Sequence, residues 1–147
     1  MSKFGYIKEA RLTLDRTANF TFHGITVNGK SPILVVRPAS ELNKGYFNAL
    51  LRRSARMARR VAAGKMDVAM ISENREEDRG LYPKHVVIDW QDVLDEEGNE
   101  VKFSRDDCLE FINAIDNHVF DELRNFCASP ESFAEDLNLD VGETEKN

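Results

Sequence analysis

Apolar and polar positions alternate over the first forty residues and then change to a longer period. Leu12 and Leu14, Phe20 and Phe22, and Ile25 and Val27 each stand between polar neighbours, the two-residue period of a half-buried strand. Asn28-Gly29 lies between Val27 and the run Ile33–Val36. An Asn-Gly step between β-formers marks a hairpin, because both residues tolerate positive φ. Residues 10–37 are therefore predicted as three or four short antiparallel strands, with Pro32 and Pro38 bracketing the last. From about 41 to 63 the period becomes helical. Phe47, Leu50, Met57, Ala58 and Val61 fall on one side at 100° per residue. Ser40 is the expected cap, Gly64 the stop, and Gly45 weakens the start.

Residues 72–80, Ser-Glu-Asn-Arg-Glu-Glu-Asp-Arg-Gly, show no apolar period and predict a loop, with a linker over 72–84. His85–Trp90 reads as a strand or a buried helical turn. Asp95–Asn99 is a turn, and Val101 and Phe103 alternate after it. Ser104 with Asp107 fits a helix cap. The helix it opens carries Cys108, Leu109, Phe111, Ile112 and Ile115 on one face. After a break near Asn117, Val119, Phe120, Leu123, Phe126 and Cys127 continue the three-to-four spacing. Ser129-Pro130 opens a short last helix, and residues 140–147 form a disordered acidic tail. The pattern predicts an α+β fold. An N-terminal antiparallel β region (1–71, with the helix) packs on that long helix, and a mostly helical half spans 85–139.

Charge changes this picture more than composition does. The net charge of −6 conceals a basic first part, with 13 Lys+Arg and 3 Asp+Glu in residues 1–66. Residues 67–147 carry 7 and 23. Such a split asks for a charged partner or for two halves that face each other. No run approaches 18 apolar residues, so no membrane span is expected. The segment MSKFGYIKEA lacks the apolar centre of a signal peptide. Two cysteines without a CxxC pattern suggest neither a disulfide framework nor a zinc site, and a reducing cytoplasm is the default.

Two motif matches fail on mechanism. Gly24–Ser31 satisfies GxxxxGK[ST], and Val86–Asp89 could pass for its partner strand. A phosphate loop must run into a helix N-terminus, however, and Ser31 is followed by Pro32 and β-formers. A calcium loop with Gly98 sixth would place Val93 first and Ser104 twelfth, without the needed carboxylates. His23, His85 and His118 lie in separate elements, and Cys108 and Cys127 sit on apolar helix faces as small buried hydrophobes. No catalytic, cofactor-binding or metal-ligating residue is assigned, and no enzyme is expected.

The arginine helix is the constellation with a geometric argument. Arg52, Arg53, Arg56, Arg59 and Arg60 project within about 120° of one another. No Asp or Glu occurs between Lys44 and Lys65, so no local carboxylate can pair them. Solvent, an acidic protein surface or nucleic acid could each relieve their repulsion. An acidic surface is expected, from this chain, a neighbouring copy or a client. Nucleic acid is disfavoured because no aromatics interleave with the arginines.

The stretch VVIDWQDVLDEEGNEVKFSRDDCLEFI, with Phe120, Phe126 and Phe133 beyond it, resembles part of the tail assembly chaperones of long-tailed bacteriophages. Trp90, Gly98, Phe103 and Ser104 match that pattern, over residues 86–133. The β-rich first forty residues depart from it, since several relatives are mainly helical. The resemblance implies a non-catalytic protein of the host cytoplasm. It would bind the helical tape measure protein and assist assembly of tail tube subunits. Candidate partner-binding residues are the five arginines with Trp90, Phe111 and Phe120, and self-association is a further option. Two other readings are a structural virion component of the head–tail or tail, and a nucleic-acid-binding regulator that uses the arginine face.

Overall fold

A central strand organises the protein. In the computed structural model, which describes residues 3–65 and 68–134, β2 (Ile33–Val36) is flanked by β1 (Ala18–Thr21) and β3 (Val87–Gln91). Both pairings are antiparallel, with Phe20 opposite Leu34 and Leu34 opposite Trp90. Leu34 and Val36 are fully buried and Ile33 and Val35 half-buried, as a period of two requires. A bulge between Val35 and Val36 shifts the register beside Ile88.

The Asn28-Gly29 turn forms as expected. Both residues have positive φ (54° and 77°), and Val27 and Lys30 exchange backbone hydrogen bonds of 2.9 Å. This hairpin tip leads into β2 and not into a helix, so Gly24–Ser31 has no N-terminus to hold phosphate. The expected strand around Leu12 and Leu14 does not form. Those residues lie in irregular chain after a short helix α1 (Gly5–Glu9), and Leu12 packs against the core by side chain alone. Of His85–Trp90, the residues from Val87 on enter β3 while His85 ends the preceding helix, so the second part of the chain completes the sheet begun by the first.

Helix α2 (Lys44–Ala62) starts later than expected. Its cap is Asn43, not Ser40. The Asn43 side chain accepts from Tyr46 N and donates to Pro38 O (3.1 Å) and His85 O (2.7 Å). Gly45 permits that junction, because a Cβ there would stand 2.6 Å from His85 Nδ1. At the other end Lys65 N bonds Arg60 O and Gly64 N bonds Val61 O. Gly64 at φ 73° supplies the left-handed residue that such a helix stop needs.

The largest departure is α3 (Ala69–His85), which occupies the expected loop and linker. Its inward positions are Met70, Asn74, Asp78, Arg79 and Tyr82, spaced three and four apart. The helical period is present but written in polar letters, so an apolar template does not detect it. Pro83 sits in the last turn, and Arg105 donates to the helix-end carbonyls of Pro83 and Lys84.

α4 (Arg105–Ala114) opens on Ser104, whose hydroxyl accepts from Asp107 N (3.1 Å). The break falls at Ile115–Asp116, and Asp116 caps α5 (Asn117–Ala128) by accepting from His118 N. Pro130–Phe133 forms the short last helix, of 3-10 type. Val101 and Phe103 pack against the core without forming a strand. One hydrophobic cluster joins Phe22, Leu34 and Val36 to Ile112, Phe120, Leu123 and Cys127. The observed fold is α+β. The acidic tail predicted for 140–147 lies outside the described residues.

Candidate interaction site

Helices α2 and α3 form an antiparallel hairpin whose inner seam is ionic. Arg60 pairs with Glu73, and Arg56 Nη2 donates to Glu77 Oε2 at 2.7 Å. Arg53 Nη2 donates to Asp78 Oδ1 at 2.6 Å. Glu77 Oε1 also lies 2.9 Å from Arg53 Nε, in a charge contact whose N–H is not aimed at the oxygen. Three of the five arginines therefore meet carboxylates of the same chain. Their partners belong to the very segment that the sequence suggests is a loop.

Asp78 is the node of this seam. It is 2% exposed and accepts from Arg53, from Tyr46 Oη (3.1 Å) and from Arg124 Nε (2.8 Å). Burial and the adjacent Asp78 charge push the Tyr46 hydroxyl well above its ordinary pKa, so it remains a donor. Arg124 Nη1 continues to Asp121 (3.0 Å), which Arg75 clamps through two nitrogens (3.1 and 2.9 Å). Those contacts hold the Asp121 carboxyl below its usual range. Arg79 donates to Ile112 O and to Asn117 Oδ1 (2.7 Å), and stands 4.9 Å over the Phe120 ring. The network thus ties α2, α3, α4 and α5 together. Asp78, Glu77, Arg79 and Arg124 escape a sequence reading; the signal for the first three is the three-to-four spacing of charges in 73–79, and Arg124 has none.

Pairing inward rotates α2 relative to expectation. Arg53 is buried, while Leu51 (53% exposed) and Val61 (49%) face outward with Ala55, Ala58 and Ala62. The apolar side expected to pack inward is thus split: Phe47, Leu50 and Met57 are half-buried, whereas Ala58 and Val61 are exposed. Arg52 and Arg59 are exposed on the flank of this ridge, and neither reaches a carboxylate among the described residues. Val68 and Ile71 add exposed apolar surface near the tip of the hairpin.

The aromatic candidates separate. Phe120 is fully buried between Tyr82 and the two arginines, so its contacts are internal. Trp90 is 7% exposed, donates from Nε1 to Val101 O (2.8 Å), and packs edge-on against Phe103. Phe111 is half-buried between Trp90 and Phe22. Trp90 and Phe111 form the floor of an open groove of about 610 Å³ between the 93–101 loop and α4. Its rim is Glu96, Glu97, Asp107 and Glu110, and no Lys or Arg among the described residues lines it. Asp95 is spent on its own turn, accepting from Glu97 N and Asn99 N.

Cys108 and Cys127 are buried. Burial pushes the Cys108 thiol up to about 12 and the Cys127 thiol further, so both stay protonated at neutral pH. No helix of the described residues is long and apolar enough to cross a membrane.

Fold and surfaces together define an α+β protein with an ion-paired helical hairpin, an apolar ridge and an acidic groove. The YdaY prophage protein family matches residues 42–144, from the cap of α2 to beyond the last described helix, and the chain belongs to that family. No curated protein and no solved structure matches it.

Proposed function

We propose that this prophage protein is a tail assembly chaperone that acts by binding and not by catalysis. Its client would be the long helical tape measure protein, held soluble while tail tube subunits assemble around it in the host cytoplasm. The observation that carries this reading is the outer ridge of α2. Leu51, Ala55, Ala58 and Ala62 repeat at four, three and four residues along an exposed face. That is the spacing of a seam that accepts another amphipathic helix. Phage origin supports the same reading through the family match. A nucleic-acid role is weakened because Arg53, Arg56 and Arg60 already pair with carboxylates.

The test is co-expression with the tape measure protein of the same prophage. The expected result is a soluble complex of the two and no stoichiometric copy of this chain in finished particles. Recovery in particles at stoichiometric amounts would establish the structural virion role instead. An insoluble tape measure protein with no complex would remove the chaperone reading.

A further inference from the structure

The ridge and the groove described above are complementary to each other. The ridge is apolar along Leu51, Ala55, Ala58 and Ala62 and is flanked by exposed Arg52 and Arg59. The groove is apolar on its floor, at Trp90 and Phe111, and acidic on its rim, at Glu96, Glu97, Asp107 and Glu110. We propose that the α2 ridge of one copy docks into the Trp90–Phe111 groove of a second copy, so that the protein associates head to tail.

Three arguments favour this occupant. First, a helix laid in an apolar groove is a recurrent mode of recognition, and both members are present on every copy. Second, the charges match in sign. Two cations without a carboxylate partner among the described residues meet four carboxylates with no Lys or Arg between them. Third, the ridge is poorly suited to pairing with itself. An antiparallel two-fold contact sets the same flank of each helix side by side, which brings Arg52 and Arg59 against the same two arginines of the partner. Like charges so placed oppose association. A heterologous contact avoids this and leaves a free ridge at one end and a free groove at the other, so assembly continues into rings or short filaments. A client helix that uses the same ridge competes with the second copy. The contact itself needs no client and is tested on the purified chain alone, apart from the chaperone reading.

The experiment is sedimentation velocity of the full chain across concentration, at about 50 mM and about 500 mM salt, with two charge-reversal variants. One is Arg52→Glu with Arg59→Glu; the other is Glu97→Lys with Glu110→Lys. All four positions are exposed, so circular dichroism should show an unchanged fold. The wild type is expected to grow beyond a dimer at low salt and to weaken about tenfold or more at high salt, as exposed charges are screened. Each variant alone should remain monomeric. Their mixture should associate again, through the intact ridge of one variant seated in the intact groove of the other. A monomeric wild type would overturn the proposal. So would association that the ridge variant abolishes and the groove variant leaves intact, since that result belongs to a ridge paired with itself.

Discussion

The sheet with α4 and α5 and the hairpin of α2 and α3 are held by different chemistry. In the first, Leu34, Val36, Ile112, Phe120 and Leu123 are all at zero exposure, and a chain of aromatic contacts, edge-on or tilted, runs from Phe20 through Phe22 and Phe111 to Trp90. Each such side chain contributes about 1.5–3 kcal/mol by leaving water. In the second, only the base joins that cluster, through Tyr46 and Leu50 of α2 and Leu81 and Tyr82 of α3. Beyond Ala49 the inward face of α2 is Arg53, Arg56, Met57 and Arg60 against Glu73, Asn74, Glu77 and Asp78. A seam of ions fixes which residues face each other. It adds little net stability where water reaches it, and it leaves the apolar side of α2 free for other uses.

The largest effect should come from the core. Phe120→Ala is expected to cost about 3–5 kcal/mol in urea unfolding, from lost burial and the cavity left behind. Phe120 also carries the faces on which Arg79 and Arg124 rest, so the hairpin should loosen with the core. Hydrogen exchange that speeds up in α5 alone would argue that the two regions are uncoupled.

Asp78→Ala should follow, at about 3–5 kcal/mol, because it strands buried Arg53 and half-buried Arg124 beside an unpaired Tyr46 hydroxyl. Here the first amides to lose protection should be those of the α2–α3 hairpin. Asp78→Ala with a loss below about 1 kcal/mol would mean that water already reaches the node.

Gly45→Ala tests the joint between the regions. On an isolated helix the change should help by about 1 kcal/mol. In this protein the new methyl would meet the His85 ring at 2.6 Å, so a net loss of about 1–3 kcal/mol is expected. A gain in the urea midpoint would show that His85 swings aside at little cost.

At the open end of the hairpin the numbers should be small. A double-mutant cycle on Arg56 and Glu77, whose side chains are 49% and 33% exposed, should return a coupling of about 0.2–1 kcal/mol that fades with added salt. A coupling as large as the Asp78 effect would erase the distinction between node and tip.

The same division decides what can be read in the sequence. The hairpin at Asn28-Gly29, the Ser104 cap and the break before Asn117 announce themselves by residue type and apolar spacing, and each forms. So does the carboxylate pairing of Arg53, Arg56 and Arg60, because an unpaired cluster of cations needs relief wherever it comes from. α3 is not legible by the same means, since its inward side is Asp78, Arg79 and Asn74, and a loop is the natural reading of such a run. Losing α3 also misplaces the rotation of α2. Without a known acidic neighbour, the apolar side is the one expected to turn inward. Trp90 and Phe111 line an acidic groove, whereas Phe120 is core, a distinction that period alone does not make. Leu12 and Leu14 show the converse failure: two alternating residues are too few to fix a strand without a partner in register.

The smallest effect concerns pH at the joint. Burial, followed by the nearby charges of Lys84, Arg105 and Arg52, lowers the His85 pKa from its ordinary value. The folded protein therefore disfavours the imidazolium. In the window between the lowered folded value and the unfolded value of about 6.5, the unfolded chain binds more protons, so stability rises with pH. Below that window the full penalty is present; above it there is none. His85→Gln should remove this contribution to the slope of urea midpoint against pH while leaving the Asn43 bond to the backbone carbonyl at residue 85 intact. A steeper slope in the variant would mean that protonated His85 is favoured in the fold. That would place a carboxylate beside the joint, where the structure places three cations.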